Sequence, residues 1–113
     1  MEPAGGHAVF VDAAALLPHV EVENHPGQAL CNAVYASTAV RGALNFLSPD
    51  HEKANAQIVR FAVPVGRYAD AELDALVQAF RIVLDRKAGI RGLARVGMPV
   101  GAMGKFVAAF RSL

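Results

Sequence analysis

Tryptophan is absent from the 113-residue sequence and cysteine occurs once, at Cys31. A lone thiol excludes an internal disulfide framework, and with it the small stapled folds of secreted proteins. No apolar run approaches the roughly 20 residues needed to cross a bilayer, and no basic start followed by an apolar run marks a secretory signal. The expected compartment is cytoplasmic. Charge of one sign is missing as well: 11 basic and 10 acidic residues are scattered along the chain, leaving a net charge of +1. Without a basic patch there is no electrostatic footprint for nucleic acid or an anionic membrane. His7, His19, His25 and His51 fall in separate loops or edges and Cys31 has no second thiol nearby, so no metal site is expected. Gly97, Gly101, Gly104 and Lys105 invite comparison with a phosphate loop. The pattern fails, because Pro99 stands where the first glycine is needed and Phe106 where Ser or Thr is needed.

What the chain does have is apolar surface. Hydrophobic residues make up 54% of it and the mean hydropathy is +0.32, high for a small soluble domain. One domain spanning residues 1–113 has little interior in which to hide so much, which points to a partner surface. Ala8-Val9-Phe10-Val11-Asp12 reads as a strand buried on both faces. Ala13 to Leu17 adds a helical turn stopped by Pro18. Pro26 suits a first helical position after a cap at Asn24 or His25, and Leu30, Ala33, Val34 and Ser37 trace a helix to about Thr38. Residues 40–46 read as a strand with Arg41, Ala43 and Asn45 on one face. The turn-rich stretch 48–55 makes a hairpin connection to residues 57–64. Asp70 is the expected cap of the strongest helix, whose stripe is Leu73, Leu76, Val77, Phe80, Val83 and Leu84, with Gly89 as its C-terminal cap. Leu93 to Val96 is an edge strand, and residues 105–113 form a terminal helix or strand. The order predicts an α/β (α+β) domain: a small, mostly antiparallel sheet with helices packed on one face.

One residue does not fit hydrocarbon surroundings. In Gln57-Ile58-Val59-Arg60-Phe61-Ala62-Val63-Pro64, alternation puts Val59, Phe61 and Val63 on one face and Ile58, Arg60 and Ala62 on the other. A guanidinium on an otherwise small and apolar face needs an anionic partner. Either an internal carboxylate supplies it, or the strand holds a rigid fork for the carboxylate of a ligand. Cys31 lies on a small-residue helix, where a buried inert thiol is expected rather than a nucleophile.

Gly5-Gly6-His7-Ala8-Val9-Phe10-Val11-Asp12-Ala13, Leu17-Pro18-His19-Val20, Pro26-Gly27-Gln28-Ala29-Leu30, Val34-Tyr35, Val40-Arg41, Ile58-Val59-Arg60-Phe61-Ala62-Val63-Pro64 and Tyr68 run in the same order as their counterparts in one family. Together they resemble the C-terminal small domain of the β-eliminating lyases dependent on pyridoxal phosphate, the tryptophanases and tyrosine phenol-lyases. The resemblance implies the small-domain fold of aminotransferase-like pyridoxal-phosphate enzymes. It also implies that the cofactor and its lysine belong to a larger domain, so no catalytic and no cofactor-binding residue is expected here. By position, Arg60 matches the arginine that grips the substrate α-carboxylate. Asn45 matches a position that helps choose the leaving group, and Lys105 or Phe106 falls near the side-chain pocket. Arg41 matches a family arginine with a structural role. Departures surround the leaving-group side: Leu44 and Phe46 replace a glutamate and a glycine, the loop 47–56 is shorter, and Val65-Gly66 replaces a basic pair.

Two functions follow as expectations. The first is a small subunit or fragment of an amino-acid lyase, giving Arg60 to a separate chain or domain that bears pyridoxal phosphate. The alternative is a stand-alone domain that binds small carboxylates or regulates a partner protein without catalysis.

Overall fold

Alternating side chains along one strand, β3 (Ile58–Ala62), divide the molecule into a packed side and an outer side. A computed structural model describes residues 6–44, 57–64, 66–97 and 109–113. β1 (Ala8–Asp12) and β2 (Ala43–Leu44) flank β3, both antiparallel to it, in a sheet of order β1-β3-β2. β4 (Leu93–Val96) pairs with β5 (Ala109–Ser112) in a second antiparallel sheet. The α+β class and the antiparallel pairing agree with the expectation from sequence. The strands are shared between two sheets because β4 finds its partner in the chain terminus rather than beside β1 or β2.

Three α-helices accompany these strands among the described residues. α1 (Ala13–Leu16) starts directly from β1, and Asp12 caps it: Oδ1 accepts from the amides of Ala14 and Ala15, both at 3.1 Å. An Asp before an apolar helical run is an N-terminal signal that the strand reading of Asp12 obscured. α2 (Pro26–Thr38) has Pro at its first turn, as anticipated. Neither proposed cap acts through its side chain, however; His25 holds the cap position in the left-handed region, φ 53°. Gln57 takes over part of the task, its Oε1 accepting from the Gly27 amide at 3.0 Å while its carbonyl accepts from Ala13 at 2.9 Å. One residue thus ties the starts of both helices to the entry of β3.

The core lies where α2 crosses the sheet. Leu30, Cys31 and Val34 from α2, Val59 and Phe61 from β3, and Ala13 and Leu17 form a single buried cluster, which Val83 of α3 (Asp70–Asp85) joins. Phe61 also meets Phe80 of α3 edge-on, with centroids 4.7 Å apart and planes at 89°. Gly42 makes that packing possible, since a Cβ there would stand 2.7 Å from the Phe61 ring.

Several finer expectations shift. β1 is not buried on both faces, for Val9 is 46% exposed. Asp70 is the first helical residue of α3 and Ala69 the cap, with Glu72 Oε2 accepting from the Ala69 amide at 2.8 Å. α3 ends at Asp85, and Gly89 closes the following 3₁₀ turn (Lys87–Gly89) instead of capping the helix. The α3 stripe is only partly covered: Val83 is buried, whereas Val77 is 50% and Leu84 41% exposed. The terminal segment is a strand over Ala109–Ser112, which decides between the two readings for those residues. The turn 48–55 lies outside the described residues, but its consequence, an antiparallel pairing of β2 with β3, is present.

α2 ends at Thr38 and is capped by Ala39, a non-glycine residue held at φ 58°. Left-handed backbone strains any residue with a Cβ, and this position is the common site of a helix-ending glycine. Ala39→Gly is expected to raise the unfolding free energy by about 0.5–1 kcal/mol in urea titrations. Leu30→Ala, which empties the centre of the core, is expected to lower it by about 2–5 kcal/mol.

Candidate functional site

Arg60 occupies the middle of the central strand, where neighbours on both sides fix its backbone. Phe10 of β1 lies directly opposite on one side and Ala43 of β2 on the other. Residues facing each other across antiparallel strands share a face, with Cβ atoms about 4.5–5.5 Å apart. The guanidinium therefore rises from the outer face between an aromatic ring and a methyl group. That face is partly covered: Ala8 and Ile58 are buried, Phe10 and Arg60 half-buried, Ala62 and Asp12 exposed. The opposite parity, Val59 and Phe61, is locked into the core. A register slip would have to turn Arg60 into hydrocarbon, so the position is strongly specified.

An internal carboxylate is the simplest partner for such an arginine. Among the described residues Arg60 makes no ion pair. Asp12, the nearest acid by register on that face, lies opposite Ile58 and directs Oδ1 to the amides that start α1. A half-buried guanidinium on a rigid strand can form a bidentate pair with a planar carboxylate brought from outside. Asn45, Lys105 and Phe106 lie outside the described residues.

Arg41 stands apart from this face. It lines a cleft of about 540 Å³ between the end of α2 and the start of α3, together with Tyr68 and Glu72. Cys31 is buried against α2's partners, and desolvation pushes its thiol up to about 11, which agrees with an inert core residue. Two long-range contacts have no local signal in the sequence. His19 Nε2 lies 3.0 Å from the carbonyl of Ile90, and the His25 ring meets Phe110 edge-on at 5.2 Å. Among the described residues no cluster of three His, Cys, Asp or Glu side chains could hold a metal ion, and no helix is long and apolar enough to cross a membrane.

No family model matches the sequence. Individual proteins do. A tryptophanase of Hyphomonas neptunium is 38% identical over 120 residues, covering 100% of this chain and 26% of its own length. A tyrosine phenol-lyase of a Symbiobacterium strain is 33% identical over 107 residues, covering 88% of this chain and 23% of its own. A tryptophanase of Rhodobacter capsulatus is 38% identical over 106 residues, with the same shares. The chain is a homologue of one segment of the tryptophanase and tyrosine phenol-lyase family. It spans about a quarter of the length of those relatives, consistent with the family's C-terminal small domain. The two names these three relatives carry fit the resemblance seen in the opening block through Ala13 and in the Arg60 strand.

Two titrations test the surroundings of this scaffold. Burial, helped by the Arg95 charge, lowers the proton affinity of His25 below its usual value. The unfolded chain then takes up a proton first as pH falls through about 6.5, so this contribution to stability is complete above that pH and is lost below it. His25→Gln should flatten that part of the stability curve measured by urea unfolding between pH 5 and 8. Cys31, in turn, should react with iodoacetamide at neutral pH only as fast as the core opens, and labelling that outpaces unfolding would contradict its inert burial.

Proposed function

We propose that this domain supplies the substrate-carboxylate grip of an amino-acid lyase of the tryptophanase type, acting with a pyridoxal-phosphate-bearing polypeptide or domain that lies outside these 113 residues. The observation that carries the reading is Arg60, half-buried at the centre of β3 and in no ion pair among the described residues. Its match to the family's carboxylate-binding arginine gives that charge a partner.

In this reading the cofactor site lies outside these 113 residues. Among the described residues the one lysine, Lys87, is exposed on the turn after α3, and the neighbours of Arg60 across the strands are Phe10 and Ala43. Pyridoxal phosphate is assigned to the other part of the enzyme by the resemblance to the lyase family, and no chemical step is assigned to the residues described here. Arg60 binds and orients. Two parallel N–H···O bonds to the α-carboxylate fix the substrate about its α-carbon, which limits which bond at that carbon can be aligned for cleavage. Leu44 next to Asn45 sets this chain apart on the leaving-group side, so the amino acid it acts on need not be tryptophan or tyrosine.

Co-expression with a chain homologous to the remaining three quarters of a tryptophanase tests the proposal. The expected product is a stable yellow complex that releases ammonia and a keto acid from an amino acid in a panel of candidates. A charge-assisted hydrogen bond contributes about 1.5–3 kcal/mol, so Arg60→Ala should raise KM by roughly 10- to 150-fold while the complex still assembles. Arg60→Lys should recover only part of that loss, because an ammonium cannot reproduce the planar fork. Unchanged KM in Arg60→Ala would remove Arg60 from substrate binding.

A further inference from the structure

A second cleft lies on another side of the domain, between α2 and the β4–β5 hairpin, and shares no lining residue with the outer face of β3. We propose that it binds a small amphipathic carboxylate, charged at one end and aromatic or aliphatic at the other. Its volume of about 540 Å³ is in the range of small-molecule sites. Ala29 and Ala33 form the α2 wall, and their short side chains leave the cleft open. Phe110 and Ile90 furnish apolar surface facing them.

Charge is what singles out the ligand class. Arg86 and Arg91 both line the cleft, and among the described residues no carboxylate lines it with them. Neither guanidinium is in an ion pair with a described residue. Two cationic side chains lining one cleft favour an anionic ligand, which can accept their N–H groups. Asn32 adds to the same opening. Its Oδ1 already accepts from Gln28 Nε2 at 2.9 Å, which leaves its amide N–H pair for an acceptor from outside.

The walls are held in place before any ligand arrives. The Ile90 carbonyl is tied to His19, the Leu113 amide donates to the Gly92 carbonyl at 3.1 Å, and Phe110 is braced by the His25 ring. A site whose walls are fixed loses less ordering entropy on binding.

The test is an NMR titration of the full 113-residue chain with 3-phenylpropionate, compared with the neutral 3-phenylpropionamide. Saturable shifts confined to the residues that line the cleft, from α2, the end of α3 with the turn after it, and β4–β5, and weaker by at least about tenfold for the amide, are the expected result. The double variant Arg86→Gln/Arg91→Gln should lose at least about tenfold in affinity while its spectrum stays dispersed. Arg81→Gln, which removes an exposed arginine of α3 outside the cleft lining, should bind as the parent does. Shifts that instead follow Arg60, equal binding of acid and amide, or no saturation up to roughly 10 mM would each overturn the assignment.

Discussion

Everything positioned in this domain depends on one strand being buried on one face only. Val59 and Phe61 are gripped by Leu30 and Val34 of α2, and each large side chain fully buried there contributes about 1.5–3 kcal/mol relative to exposure. Because the strand period is two, that grip dictates the opposite direction for Ile58, Arg60 and Ala62. Arg60 needs no local device to aim it. Its direction is set by hydrocarbon on the far side of the sheet, and its depth by the flanking pairing of β1 and β2.

That division explains why this part of the molecule was legible in the sequence. β1, β3 and β4 follow from apolar runs with β-branched residues, and the core parity of β3 follows from simple alternation. α2 and α3 begin within a residue of where proline and the acidic first turn place them. The cap of α1 was missed because Asp12 serves two elements at once, last in a strand and first beneath a helix. Gly89 misled for a related reason: a glycine near a helix end reads as a cap, yet the chain here leaves α3 earlier through Arg86 and uses the glycine one turn later.

What lay beyond local pattern was mainly long-range. Nothing near His19 announces Ile90, and nothing near Phe110 announces His25, because those contacts arise only once the hairpin of β4 and β5 folds back on α2. The division of strands between two sheets has the same origin. For the candidate site, Arg60 was visible as a charge among apolar neighbours. Phe10 and Ala43 became its companions only through register, which neither strand specifies alone.

The apolar surplus noticed in the composition ends up in identifiable places. Val77 and Leu84 on α3 continue a stripe that only Val83 carries fully into the core, while Ile82, 47% exposed, lies on another side of the helix. Val9 and Val96 leave further apolar area at strand positions of both sheets. Large aliphatic groups repeated along one helix are seldom left to water in a domain that has no use for them. The relatives' length, about four times the matched segment, shows how much protein accompanies the corresponding segment in them. A carboxylate grip on its own binds a substrate without changing it. Arg60 rises on the side of the sheet away from α3, so under the proposed function the accompanying polypeptide has to reach the outer face of β3 whatever covers the helix.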